Sequence, residues 1–314
     1  MKYTFNENKW TWFEIDESED IDFKQLTEKY HTCNDWLDSI EKNEDINTLN
    51  MNTQDPGKEV MWGSIIYFQD VEEKGKKDIF HYYLTRDFFI TDRLNLSLLD
   101  EADQKKMKAK MEQCETPIEG FLTLIGEIVT HILQKIDCFE SRLRDLLWNI
   151  KEKNNTDLLD QIVQTRHELL IWKNLTTPAL EVRMGVIEAF GEEVREAYYY
   201  KQTFHRVERA RSLINEYQEE ISGLVELENI VSSHRGNEIM KTLTVITTLF
   251  TPATVWGAIW GMNFKVMPEL EWKLGYLLSW GLIIASSVGV YIYLKKKGWM
   301  GDILRVQKKN SFFK

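Results

Sequence analysis

Residues 242–262 carry no charge, and 21 residues rising 1.5 Å apiece in a helix span a hydrocarbon layer about 30 Å thick. The run reads as a membrane-spanning helix, and every other expectation has to be compatible with it. Within it Thr244, Thr247, Thr251 and Thr254 recur every three or four residues, so they share one face. The same spacing reaches Asn237 and Met240 upstream, and Ala258 and Gly261 downstream; further back it passes Ser233, Ile230, Glu226, Gly223 and Glu219. In lipid a hydroxyl row can bond back to its own helix, pack on a neighbouring helix, or line water. The stripe by itself leaves all three open.

A second uncharged run of 21 residues, 274–294, follows after a short connection. Gly275, Ser279, Ser286 and Gly289 in it are small enough for another helix to approach closely. Lys295, Lys296 and Lys297 come next, with Arg305, Lys308, Lys309 and Lys314 behind them. By the positive-inside rule the C-terminus is cytoplasmic, which returns the N-terminal part to the cytoplasm as well and leaves only 263–273 outside. The expected location is therefore the plasma membrane, as a multi-pass protein with both termini cytoplasmic. The lysines read first as anchors in the bilayer surface.

The first run ends in Gly261-Met262-Asn263, followed by Phe264 and Met267-Pro268-Glu269-Leu270. Alone, a Gly and an Asn past a helix end read as a C-cap. Between two uncharged spans, with Met-Pro-Glu-Leu after it, the triplet resembles the signature of the CorA family of magnesium transporters. The resemblance is strong over the last third of the chain and extends to the rest only in layout; the family's usual Tyr before the triplet is Trp260 here. It implies a homo-oligomer, a pentamer, that passes divalent cations, magnesium first and cobalt or nickel besides. It also implies a selectivity site at Gly261, Met262 and Asn263. Met240 and Leu243 match the family's narrow hydrophobic constriction, which gates by excluding water. Thr251 stands where relatives often have Met, which weakens any constriction at that level. Asn237 and Glu226 fall below the gate. Closure by cytosolic magnesium bridging carboxylates of neighbouring bodies is implied too, at positions within 1–236 that no motif singles out. In the zinc-transporting branch of the superfamily the middle residue of the triplet usually differs, so Met262 favours magnesium.

The chemistry of the ion is consistent with those residues. Magnesium prefers octahedral oxygen coordination and gives up its waters reluctantly. Uncharged oxygens, the Asn263 amides and the carbonyls near Gly261, can bond to its intact water shell, whereas carboxylates that seized the bare ion would release it slowly. The threonine stripe then offers hydroxyl oxygens along the pore, through Thr244, Thr247, Thr251 and Thr254, and Glu269 and Glu271 in the outer loop concentrate cations at the entrance. Pro252 removes a backbone donor and frees the carbonyl of Thr248. No resident cofactor is expected, and no phosphate loop, nucleophile elbow or metal-ligand pair occurs. No His, Cys or carboxylate group falls at catalytic spacing, so an enzyme is not expected.

Charge is unevenly divided. Residues 1–236 hold 46 acidic against 29 basic side chains, a net of −17, whereas 237–314 hold 4 against 10, a net of +6. An acidic body argues against nucleic acid or anionic lipid as its partner and suits divalent cations, although most of these carboxylates serve solubility in any case. Cys33, Cys114 and Cys138 are far apart and odd in number, which suits reduced thiols. The first residues lack the apolar stretch of a signal peptide.

Strands are expected at 10–15, 60–68, 79–84 and 88–91, rich in β-branched and aromatic residues, with a helix over 22–40. His31 and His81 read as ordinary surface or core histidines. Helices follow over 100–111, from Pro117 through 136, and over 158–172 before Thr177-Pro178. After Gly191 the chain runs to Gly261 with Ile214, Tyr217, Ile221, Leu224 and Val231 near heptad spacing; one helix of about 70 residues would be about 105 Å long. The expected architecture is an α/β cytoplasmic domain over 1–190, a small sheet covered by helices, followed by a very long stalk helix over 191–240. A pore-lining span over 241–262, an outer loop over 263–273, a second span over 274–294 and a basic tail over 295–314 complete it. A membrane-anchored coiled-coil scaffold without conduction is the rival reading, in which the spans are anchors and the threonines only pack.

Overall fold

The computed structural model describes residues 1–15, 30, 32–42, 45–73, 75–152, 156–265 and 267–299. His31, most of the first expected helix and the tail lysines and arginine beyond Lys297 lie outside the described residues. The chain divides into two compact units, Met1–Trp148 with Thr156–Ser222, and Asn149–Asn155 with Gly223–Lys314.

The first unit is built on a six-stranded sheet ordered β1-β2-β6-β5-β4-β3. Its strands are β1 Lys2–Phe5, β2 Trp10–Ile15, β3 Thr48–Asn52, β4 Val60–Gln69, β5 Lys77–Thr85 and β6 Phe88–Asp92. Only β2 and β6 pair in parallel; the remaining neighbours are antiparallel. The sequence pattern gave β2 and β4–β6 because aromatic and β-branched side chains dominate them. It missed the two edge strands, where Lys2, Asn50 and Asn52 interrupt that composition and pairing with a neighbour decides the conformation instead.

Successive side chains alternate across the sheet, and each face has its own helix. Trp36 of α1, Thr32–Lys42, lies 5.5 Å from Tyr83 in a cluster with Val60, Phe88 and Ile90. On the other face Phe121 of α3, Pro117–Glu152, lies 5.0 Å from Tyr82 and 5.6 Å from Phe89. Gly120 makes that contact possible, since a Cβ there would overlap the Trp10 ring. The few polar groups inside are paired: Trp12 Nε1–H donates to Thr91 Oγ1 at 2.9 Å, and Ser64 Oγ lies 2.7 Å from His81 Nδ1. His81 is thus a core histidine.

Three further helices complete this unit: α2, Glu101–Met111, α4, Thr156–Phe190, and the first part of α5, Tyr198–Trp260. The helix expected to stop before Pro178 instead runs through it to Phe190. Loss of one backbone donor is tolerated because Thr176 and Thr177 hydroxyls donate to the carbonyls of Trp172 and Lys173 just upstream, and because Leu175, Ala179 and Val182 are buried. Val207, Ala210, Ile214, Tyr217 and Ile221 of α5 are buried as well, so the compact unit takes in α5 as far as Ser222. Glu127 of α3, 7% exposed, accepts from Lys110 Nζ of α2 at 2.6 Å and from Arg206 Nη1 of α5 at 2.9 Å.

The second unit holds the rest of α5, a single-turn helix α6, Pro268–Glu271, and α7, Gly275–Lys296. Apart from Val245 and Leu294, which pack together with Val290 and Tyr291, its long apolar side chains are largely exposed.

Candidate functional site

The C-terminal part of α5 and nearly all of α7 are long and apolar enough to cross a membrane, and their most apolar windows are only 6% buried, unlike the core helix of a soluble domain. Where α5 meets α7, one row of its residues is buried or half-buried: Val245, Thr248, Leu249, Pro252 and Trp256. Thr244, Thr247, Thr251 and Thr254 are all exposed, and at 100° per residue their row lies about 140° round the helix from the row against α7. The stripe therefore does not pack on the chain's own second span, one of the outlets left open by the sequence.

Each of these hydroxyls bonds to its own helix. Thr244 donates to the Met240 carbonyl at 2.7 Å, Thr247 to Leu243 at 2.9 Å, Thr251 to Thr247 at 2.8 Å and Thr254 to Phe250 at 3.2 Å. With the proton turned inward, what an outside molecule meets is the oxygen lone pairs. Four acceptors in a row suit a species that presents donors, such as the water shell of a cation. Met240 and Leu243 are 62% and 57% exposed, and Asn237 and Glu226 are exposed on the same side as Thr244.

At the outer end α5 stops at Trp260. Gly261 N–H still bonds to the Gly257 carbonyl at 2.9 Å, and Phe264 N–H bonds to the Met262 carbonyl at 3.0 Å. The second bond closes a three-residue turn with Asn263 at its centre, and Asn263 is exposed. Trp256 and Trp260 stack behind this turn, with centroids 5.2 Å apart and planes 19° apart, on the side of α5 away from the threonines. The sequence reading did not pick out that pair, although aromatic residues four apart on a helix signal it. Glu271 ends α6 and is exposed; the side chain of Glu269 lies outside the described residues. Lys265 and Lys273 bring the formal charge of 263–273 to zero, so any attraction of cations by the two glutamates is local.

In the body, no group of three or more His, Cys, Asp or Glu side chains converges to hold a metal among the described residues. Its carboxylates serve ion pairs instead. The Arg86 guanidinium, 2.8 Å from Glu59, holds that carboxyl down to about 2, helped by the Gly57 N–H.

Comparison with known proteins bears on the whole chain. The model of the family described as CorA-like Mg2+ transporter protein matches residues 7–296. A relative from Bacillus subtilis, named magnesium transport protein CorA, is 41% identical over 304 residues, covering 96% of this chain and 95% of the relative. The cobalt/magnesium transport protein CorA of Thermotoga maritima is 28% identical over 180 residues, 57% of this chain and 51% of that one. Among solved structures, the CorA magnesium transporter of Methanocaldococcus jannaschii superposes with a TM-score of 0.61 at 15% identity, covering 95% of this chain and 93% of that chain, a likeness of fold.

Proposed function

Because the chain belongs to the family of CorA-like Mg2+ transporter proteins, we propose that it carries hydrated magnesium across the plasma membrane, through a pore formed by several copies of α5. The observation that carries this reading is the exposed threonine row, turned away from α7 and offering only acceptor oxygens. Several copies of α5 around an axis, five by resemblance to the family, bring the row to the centre and leave α7 toward lipid. The basic end of α7 then lies in the cytoplasm with the acidic body, and 263–273 faces outside.

In this arrangement Asn263 amide oxygens and nearby carbonyls receive the ion's water protons at the outer mouth, held there by the turn that Phe264 N–H closes. The threonines continue the same contacts inward, and Met240 and Leu243 close the inner end by excluding water. A doubly charged ion falling through 100 mV gains about 4.6 kcal/mol, enough to sustain a concentration ratio of about three decades without a nucleotide. The chain is a transporter rather than an enzyme, and magnesium is its cargo. Regulation by cytosolic magnesium would require carboxylates from two neighbouring bodies.

Magnesium uptake by vesicles holding the full chain tests the reading, with complementation of a magnesium-requiring strain beside it. Asn263→Ala should lower uptake by at least about tenfold while assembly persists. A variant that assembles and transports as well as the wild type would instead favour a non-conducting scaffold.

A further inference from the structure

The second span ends in Lys295, Lys296, Lys297, Gly298 and Trp299, and the transport reading assigns them nothing beyond orientation. Gly298 takes φ +77°, its N–H bonds to the Lys295 carbonyl at 3.1 Å, and Trp299 N–H reaches back to the Leu294 carbonyl at 3.1 Å. These two bonds make a Schellman stop, which glycine permits because it has no Cβ to clash in the left-handed region. The last carbonyls are thereby satisfied by backbone, so the ammonium groups are not needed for capping. The chain reversal also returns Trp299, 45% exposed, to the level of three exposed lysines. Among the described residues none of the three pairs with a carboxylate.

The outward direction at this end can be read from packing. Leu294 is 3% exposed against Val245, so it marks the side facing the first span. Lys296 lies about 200° round the helix from it, below Ile292 and Tyr293, which are 47% and 61% exposed. From the middle of the span toward its end, this outward side is therefore apolar, then aromatic, then cationic. That order matches acyl chain, interface and headgroup in a lipid carrying a net negative charge.

We propose that Lys295–Lys297 and Trp299 form a docking collar for anionic phospholipids of the cytoplasmic leaflet, with headgroup phosphate oxygens accepting from the ammonium groups and the indole N–H. The inference rests on the membrane orientation given above and is independent of which ion crosses. A basic residue next to an anionic surface gives about a fivefold preference, so three give on the order of a hundredfold.

The test uses the full chain purified in detergent and titrated with phosphatidylglycerol or with phosphatidylcholine of the same acyl chains, with lipid retained per assembly read by native mass spectrometry. Phosphatidylglycerol should be retained preferentially, and the preference should weaken with salt. It should fall about fivefold in Lys296→Gln, disappear when all three lysines become glutamine, and survive when all three become arginine. Should the triple glutamine variant not assemble, Lys296→Gln alone decides. Equal retention of the two lipids, an undiminished preference in the glutamine variants, or its loss in the arginine variant would overturn the proposal. Displacement of the lipid by millimolar inorganic phosphate would show a free-anion site instead and overturn it too. Because no ion flux is measured, a failure of magnesium uptake leaves this result standing, and the converse holds.

Discussion

Acidification should loosen the body through one residue, His81. Its side chain is enclosed, with Nδ1 2.7 Å from Ser64 Oγ and no hydrogen-bond partner for Nε2 among the described residues. Protonation would leave a second N–H donor buried and unmet. Burial, with a smaller contribution from the Arg93 charge, pushes the imidazole from 6.5 down to about 4. The folded state thus binds this proton less readily than the unfolded one, so stability is full above about pH 6.5, falls as pH drops toward 4, and is level below that. A shift of that size corresponds to at most about 3 kcal/mol. Denaturant midpoints of the purified full chain, followed by tryptophan fluorescence at steps from pH 7.5 to 3.5, should show this loss, and His81→Gln should flatten the curve over that interval. Glu59, held down to about 2, loses its contribution only as pH falls from its ordinary range toward 2, mostly below the histidine window. A wild type and variant separated by the same amount at every pH would refute the reasoning.

Three other substitutions probe the pore and the body. Thr247→Val keeps the shape of an exposed side chain and removes its oxygen, so assembly should persist while magnesium uptake falls about tenfold or more, with Thr247→Ser restoring it; loss of assembly in the valine variant would mean the threonines pack. Glu127→Ala strands Lys110 and Arg206, which are 35% and 25% exposed at the side chain, and should cost about 2 kcal/mol by denaturation, less than for a fully buried pair. Gly120→Ala drives a methyl into the Trp10 ring and should cost about 1–3 kcal/mol in the same assay.

Periodicity made the two spans, β2, β4 to β6 and the place of Gly261-Met262-Asn263 legible in the sequence. It works because a strand or helix repeats its side-chain directions every two or 3.6 residues, whatever lies nearby. The same property limits it: a period tells which residues share a face, not what that face meets. That Thr244, Thr247, Thr251 and Thr254 point away from the second span was decided by Val245 packing on Leu294. Packing likewise carried α4 through Pro178, and neighbouring strands formed β1 and β3 from residues with little strand preference of their own. The turn centred on Asn263 and the reversal at Gly298 depend on single backbone bonds that no repeat announces. The sequence thus determined which residues act together, and the tertiary structure decided which way they face, because facing is a relation between segments distant along the chain.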